Sequence, residues 1–254
     1  MAVDRHAQAH RKDVSRAYRR GQSIPMFAYD RDEDALWSSV FGMLSEMHVQ
    51  FGCARYRTAA RRVGLPTSQV PQLREVSRIL HSLSGFQLAP AIGTLPSRLF
   101  YAPLAEGVLH ATPDIRPVVQ QSFSPEPDII HELVGHAVML ADPEFAELYR
   151  WFGRATSNAG SAEVTTAIAR LFWFTMEVGL VAEKGHPRAY GAAILSSTNE
   201  MELYSEAELR NFRVDDVVAC DIEDGVCQPI LYVADSVDHM MGQVRDFLVD
   251  CARR

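Results

Sequence analysis

Two neighbouring histidines are the residues of this chain best suited to binding a metal ion. His131, Glu132 and His136 lie in a segment otherwise rich in Ile, Leu and Val. A His-Glu pair followed by a second histidine is close to the zinc-protease motif, which needs histidines at positions i and i+4 on one helix face. Here Gly135 occupies i+4, and His136 is ~140° further round an ideal helix from His131. Both imidazoles can still reach one ion if the helix ends or loosens near Gly135, a residue common at helix termini. The alternative is a surface helix with two solvated histidines.

A third candidate ligand is Glu177, which lies in the apolar stretch 171–180. An ionised carboxylate in such surroundings costs several kcal/mol unless a cation or strong donors meet it. Two histidines and one carboxylate, without a thiolate, are typical of non-haem Fe(II) oxygenases, in which open positions remain for oxygen and substrate. The alternative is a buried ion pair between Glu177 and an arginine such as Arg170 or Arg188. The combination with the two histidines favours the metal site.

Composition excludes several classes of protein. A chain of 254 residues with 47% hydrophobic and 22% charged residues is typical of a soluble globular protein. The net charge of −7 gives no reason to expect a nucleic-acid or membrane partner, and no apolar run is long enough for a membrane span. The four cysteines show no CxxC spacing, so we expect reduced thiols and a cytoplasmic location. The N-terminus lacks the apolar region of a secretory signal.

The hydrophobic pattern predicts a mainly α protein with a few short β-strands. Residues 1–22 are polar and basic and are predicted to be a mobile arm, and residues 23–254 to be one domain. Helices are predicted at about 32–62, 71–85, 127–152 with a break, 163–180 and 237–251, and a strand at 226–233. Residues 86–116 are predicted to be loop-rich with brief strands, and residues 185–197 to be a turn and loop.

Several motifs together resemble one known family, the tetrahydropterin-dependent aromatic amino acid hydroxylases. The resemblance runs from about Gly93 to the C-terminus and is weaker over residues 23–92. The motifs are Leu95-Pro96-Ser97-Arg98, Val108-Leu109-His110-Ala111-Thr112, Ile115-Arg116, Pro125-Glu126-Pro127-Asp128, His131-Glu132-Leu133-Val134-Gly135-His136, Trp173-Phe174-Thr175-Met176-Glu177, Ala189-Tyr190-Gly191-Ala192 and Leu195-Ser196-Ser197. The resemblance implies the family's catalytic-domain fold. It leaves no room for the regulatory domain and tetramerisation helix of the animal enzymes, so a minimal, bacterial-type monomer is expected.

The resemblance also implies the roles of individual residues. His131, His136 and Glu177 would be the catalytic metal ligands that bind Fe(II), at which O₂ as co-substrate and a tetrahydropterin such as tetrahydrobiopterin would react. The implied pterin-binding residues are Gly93, Leu95, Phe100, His110, Glu132 and Phe172. The implied substrate-binding residues are Arg116, Ser124, Trp173, Val178, Ser196 and Asp224. A guanidinium fork such as that of Arg116 is well shaped for the α-carboxylate of a free amino acid.

The residues that depart from the family pattern affect the identity of the expected substrate, and the metal ligands are not among them. Phe172 stands where the family usually has Tyr, and Val178 where it usually has Phe, which should enlarge the pocket. Trp173 resembles the phenylalanine and tyrosine enzymes. Asp224 falls in a loop where tyrosine hydroxylases have Asp, although an exposed loop acid is the alternative. The expected substrate is L-phenylalanine, hydroxylated to tyrosine or meta-tyrosine, with L-tyrosine to DOPA as the alternative.

Two functions of other classes remain open at this stage. One is a zinc hydrolase with Glu132 as base, which the histidine spacing disfavours. The other is a non-catalytic module that binds a pterin or an amino acid, which the complete set of three ligands disfavours.

Overall fold

Helices make up most of the molecule, as the hydrophobic pattern predicts. The computed structural model describes residues 5–120, 122, 124, 126–223 and 225–253. The α-helices are α1 (Arg5–Ala17), α2 (Arg31–Phe51), α3 (Ala54–Val63), α4 (Leu73–Ser84), α5 (Ser97–Tyr101), α6 (Val138–Leu140), α7 (Pro143–Asn158), α8 (Ala162–Phe172), α9 (Ala192–Leu195), α10 (Thr198–Leu203), α11 (Val214–Ala219) and α12 (Val237–Arg253). Two π-helical segments, π1 (His131–Ala137) and π2 (Trp173–Glu177), adjoin α6 and α8. Short 3₁₀ segments span Ala102–Glu106, Val118–Gln120 and Tyr204–Glu206.

Short strands form two small sheets. The strands are β1 (Gln87–Pro90), β2 (Val108–Ala111), β3 (Leu180–Glu183), β4 (His186–Ala189), β5 (Glu208–Asn211) and β6 (Ile230–Ala234). Strands β1 and β2 pair in parallel, with Gln87 opposite Val108. The other sheet has the order β4-β3-β6-β5, in which only the β3–β4 pair is antiparallel. The predicted loop at 185–197 was therefore wrong in part, because it contains β4 and α9.

Residues Arg5–Ala17, within the predicted arm, form the helix α1. Arg11, in the middle of this helix, is only 1% exposed. Its guanidinium donates to both carboxylate oxygens of Glu33 on α2 and to Asp114, which follows β2. The prediction of a mobile arm rested on the polar composition of residues 1–22, in which these contacts are not visible. A buried charge held by two carboxylates on distant segments leaves no hydrophobic signal in the local sequence.

The long helix predicted at 32–62 is two helices, because the chain breaks at Gly52. A Cβ atom at Gly52 would lie 2.9 Å from the carbonyl oxygen of His48, too close for any other residue. The next residue, Cys53, donates its backbone N–H to Ala189 O and caps α3 with its sulfur. The remaining predicted helices are confirmed with small shifts in their ends, as in α4, which ends at Gly85 with φ +75°.

The hydrophobic core is a single cluster that runs from α2 to α12. Segments π1 and π2 lie within it, and all but a few of their residues are buried. In the described part of the chain no helix has the length and apolar character needed to cross a membrane.

Candidate metal centre and active-site cavity

The spacing of the two histidines is explained by the π-helical geometry of π1. A π-helix closes i→i+5 hydrogen bonds, so residues five apart become neighbours on one face. The imidazole rings of His131 and His136 accordingly lie 4.7 Å apart between centroids and stand nearly perpendicular to each other. The helix therefore loosens, one of the two possibilities that the sequence left open.

Gly135 has a packing role instead of terminating the helix. A Cβ atom here would lie 2.7 Å from the Cβ of Ala192 and 2.8 Å from its carbonyl oxygen. Only glycine lets α9 approach π1 so closely. This approach brings Ser196, which follows α9, to the ring of His131.

Glu177 is the last residue of the second π-helical segment. The i→i+5 bond of this segment runs from Val178 N to Trp173 O, at 2.9 Å. The Glu177 carboxylate lies 3.1 Å from His136 Nε2 and 3.5 Å from His131 Nε2. Arg170, one of the arginines considered from sequence, donates instead to Asp221 and to Val218 O. Among the described residues Glu177 forms its ion pairs with the two histidines.

The outer nitrogens of both rings are held by hydroxyl groups. His131 Nδ1 lies 3.1 Å from Ser196 Oγ, which donates its own proton to Ala193 O and so accepts from the ring. His136 Nδ1 lies 2.8 Å from the hydroxyl of Tyr149. These contacts leave both Nε2 atoms facing Glu177. In metal-binding histidines one ring nitrogen binds the ion while the other makes a hydrogen bond, as Nδ1 does here.

The three ligand atoms fit a small cation. They lie within 4.8 Å of one another, and the described residues include no further such group of histidine, cysteine and acidic side chains. Ligands about 2.1 Å from one ion and at right angles to each other lie about 3 Å apart, close to the two distances at Glu177. Nitrogen and oxygen ligands without sulfur suit Fe(II), and three ligands on one side leave the other positions open. An iron bound here would supply the redox chemistry of O₂ and a reduced pterin.

The pKa values of the three side chains also favour a positive charge between them. Burial lowers the pKa of His131 to about 4, despite the nearby Glu177 carboxylate. At His136 burial acts in the same direction, but the charge and hydrogen bond of Glu177 outweigh it and raise the pKa. Although burial raises the pKa of Glu177, the adjacent His136 holds it below its usual value. Both shifts favour the charged forms, with a positive charge next to the Glu177 carboxylate.

One cavity of about 540 Å³ contains the three ligand side chains and the other predicted site residues that the structure describes. The predicted residues that line it are Gly93, Leu95, Phe100, His110, Arg116, Ser124, His131, Glu132, His136, Phe172, Trp173, Glu177, Val178 and Ser196. Asp224 lies outside the described residues. Its neighbour Gly225 lines the cavity.

Aromatic rings form one wall of the cavity. Phe100 meets Phe172 edge to face, with centroids 5.5 Å apart, and Tyr101 joins both rings. Glu132 lies near this wall and accepts a hydrogen bond from Thr112 N at 3.2 Å. Burial raises the pKa of Glu132 to about 8. A flat heterocycle with hydrogen-bonding edges would find both an aromatic face and a carboxyl group here.

Arg116 is buried and does not lie on the surface. Its Nε and Nη2 donate to the two oxygens of Asp128 at 2.9 and 2.7 Å, and its Nη1 donates to Ser196 O at 3.2 Å. Asp128 Oδ1 also accepts from the backbone N–H of His131. One carboxylate therefore orients the arginine and caps the metal-bearing helix.

The remaining predicted substrate residues line the cavity with differing contacts. Ser124 Oγ donates to Glu126 O in the loop before π1. Trp173 Nε1 is buried without a hydrogen-bond partner among the described residues. Val178 follows Glu177 and is buried.

Sequence reasoning assigned no role to three residues that the structure brings to the site. Asp128 stands three residues before His131, a spacing typical of a helix cap, which could have indicated its contact with π1. Tyr149 lies on α7, and no local spacing pointed to it. Glu200 follows Ser197 in a Ser-x-x-Glu pattern, which indicates only a helix start.

Comparison with known proteins agrees with this geometry. The family model described as "Biopterin-dependent aromatic amino acid hydroxylase" matches residues 2–254. The chain is 36% identical to phenylalanine 3-hydroxylase of Streptomyces coeruleorubidus over 228 residues, 90% of this chain and 82% of that protein. It is 34% identical to tyrosine 3-monooxygenase of Drosophila melanogaster, covering 99% of this chain and 45% of that protein, and so spans about half of this relative's length.

A solved structure shows that the fold is shared as well. The phenylalanine hydroxylase from Legionella pneumophila superposes with a TM-score of 0.81 at 30% sequence identity, covering 89% of this chain and 92% of that chain. The catalytic-domain fold implied by the resemblance is confirmed. The chain belongs to the family of biopterin-dependent aromatic amino acid hydroxylases.

Proposed function

We propose that this protein hydroxylates the aromatic ring of free L-phenylalanine, using Fe(II), a tetrahydropterin and O₂. The observation that carries the proposal is the meeting of a complete two-histidine, one-carboxylate set with a buried arginine in one cavity of about 540 Å³. The buried, largely apolar metal end of this cavity keeps a reactive oxidant away from water and from competing reactions.

Each residue has a distinct part in this proposal. His131, His136 and Glu177 hold the iron. Gly93, Leu95, Phe100, His110, Glu132 and Phe172 bind the pterin. Arg116, Ser124, Trp173, Val178 and Ser196 bind the amino acid, and Asp224, which lies outside the described residues, is kept as a candidate for the same role. The paired fork of Arg116 and Asp128 supports the carboxylate-binding role, because a guanidinium already fixed in place loses little freedom when it binds an anion.

Phenylalanine is preferred to tyrosine for two reasons. The chain is similar over most of its length to a protein named phenylalanine 3-hydroxylase. Among the described ring-facing residues, Trp173 and Val178 offer no charged or hydroxyl group to a phenolic substrate. The hint toward tyrosine rested on Asp224 alone. The same relative makes the meta position the first one to test.

We further propose that the protein acts as a monomer in the cytoplasm, without nucleic-acid or membrane partners. The net charge of −7 supports the absence of an anionic partner. The four cysteines are free thiols in the structure, which suits a reducing compartment. Light scattering coupled to gel filtration should give a mass near 28.4 kDa.

The decisive experiment is product analysis. Protein reconstituted with Fe(II) should convert L-phenylalanine to a hydroxylated product while it consumes tetrahydropterin and O₂, and NMR of the product gives the ring position. Parallel reactions with L-tyrosine and L-tryptophan define specificity. Full activity of a zinc-loaded, iron-depleted sample, or peptidase activity without O₂, would contradict the proposal in favour of a hydrolase.

A further inference from the structure

We propose that Glu200 binds the α-ammonium group of the amino-acid substrate. This inference rests on the proposed function, because a free amino acid carries a positive charge beside the carboxylate that Arg116 would take. A cavity selective for such a zwitterion over a simple carboxylic acid needs an acceptor for the ammonium group, and an ionised carboxylate makes the strongest hydrogen bonds to it.

Four described residues with carboxyl groups line the cavity. Two of them have other partners and a third is exposed. Glu177 is directed at the two imidazoles. Glu132 accepts from Thr112 N beside the aromatic wall. Glu126 is exposed, where water screens any interaction with a ligand. Glu200 remains.

Glu200 is buried without a counter-ion. It is 6% exposed, and no salt bridge joins it to an arginine, lysine or histidine within the described residues. The partner of its carboxyl group is the thiol of Cys227, whose own pKa is raised to about 11 by burial and by the Glu200 charge. The thiol is therefore neutral. A buried carboxylate held only by a weak neutral donor gains much from an incoming cation.

The backbone places Glu200 on the same side of the cavity as Arg116. Arg116 Nη1 donates to Ser196 O, and Ser197, the next residue, caps α10. Glu200 lies in the first turn of this helix, and its backbone N–H donates to Ser197 Oγ. One short stretch of chain thus bears both the carbonyl group that holds the arginine and the carboxyl group assigned to the ammonium.

Binding measurements with two ligands test the assignment. L-Phenylalanine and 3-phenylpropanoate share the ring and the carboxylate and differ in the ammonium group. Isothermal titration of the wild-type protein, metal-free and Co(II)-loaded, should show tighter binding of L-phenylalanine. In Glu200→Gln that preference should fall by roughly 10- to 100-fold, the range expected for a charged hydrogen bond, through weaker binding of L-phenylalanine alone.

Glu126→Gln is the matched control, because it removes the exposed carboxylate of the same cavity. It should keep the wild-type preference. If Glu200→Gln does not fold, Glu200→Asp supplies the test, since withdrawing the carboxylate by one methylene should lower the preference and leave 3-phenylpropanoate binding unchanged.

Three results would overturn the assignment: an unchanged preference in the Glu200 variant, equal weakening of both ligands, or loss of the preference in Glu126→Gln. The parallel product assay separates the two proposals. Hydroxylation by a wild-type protein that does not prefer L-phenylalanine in binding contradicts the role of Glu200 alone. Absence of both hydroxylation and binding contradicts the proposed function.

Discussion

The cavity has two ends that are built in different ways. At the metal end, His131, His136 and Glu177 lie on π-helical segments inside the core, and each ring nitrogen has a defined partner. At the mouth, the residues that line the cavity face solvent, among them Glu126, Gly225 and Val226. We infer that the metal end is preorganised, while the mouth is the part of the site in which substrate selectivity can change without loss of the iron site.

The largest expected effect is the loss of a metal ligand. Glu177→Gln should reduce the affinity for Fe(II) by more than the roughly 10- to 100-fold typical of outer-shell changes, and turnover with it, because the neutral amide cannot balance the charge of the ion. Fe(II) titration under anaerobic conditions measures the affinity. An exposed change at the mouth, Val226→Thr, is the control and should leave the affinity unchanged. Equal iron binding in the Glu177 variant would contradict a preorganised metal end.

Arg116 tests whether substrate binding can be altered without changing the metal end. Arg116→Lys keeps the charge but loses the fork that Asp128 holds, so we expect KM for L-phenylalanine to rise by roughly 10- to 100-fold. Affinity for Fe(II) should change little. A large loss of iron in this variant would show that the two ends are not separable, because Asp128 also contacts the His131 backbone.

Tyr149 tests how far the metal end depends on its outer contacts. Tyr149→Phe keeps the ring packing against Phe172 and removes the hydroxyl at His136 Nδ1. We expect about 10-fold weaker binding of Co(II), at the lower end of the range for outer-shell changes, and a shift in the visible absorption of the Co(II) protein. An identical spectrum and affinity would show that packing alone orients the ring.

A separate expected effect concerns stability and pH instead of metal or substrate binding. His48 on α2 lies 2.7 Å from Leu195 O, next to Ser196. Burial lowers its pKa to about 4, although the bond to Leu195 acts in the other direction. The unfolded chain binds this proton at a higher pH than the folded protein does. Neutral His48 therefore stabilises the folded protein above about pH 6.5. This stabilisation is lost as the pH falls toward 4, by up to about 3 kcal/mol.

Urea unfolding of the metal-free protein at pH 7 and pH 5 measures this effect. His48→Gln should be less stable than the wild type at pH 7, because the packing of the side chain and its hydrogen bond to Leu195 O are disturbed. The difference in free energy of unfolding between the two proteins should be smaller at pH 5. A constant difference between the two pH values would refute the role of His48 titration.

The sequence predicted the three metal ligands better than the residues that hold these ligands in place. The histidine pair and the isolated glutamate could be found because a buried charge in an apolar segment requires a partner. Tyr149 was not assigned a role, since its contact with His136 joins distant segments that local spacing does not relate. Asp128 was overlooked although its spacing before His131 is typical of a helix cap. Arg11 resembles Tyr149 in this respect, because its carboxylate partners lie far along the chain.

The most direct test of the account is anomalous diffraction at the iron edge from crystals grown anaerobically with Fe(II). We predict a single strong peak about 2.0–2.2 Å from His131 Nε2, from His136 Nε2 and from a carboxylate oxygen of Glu177. A crystal with no iron at this point, or with Glu177 turned away from both rings, would contradict it.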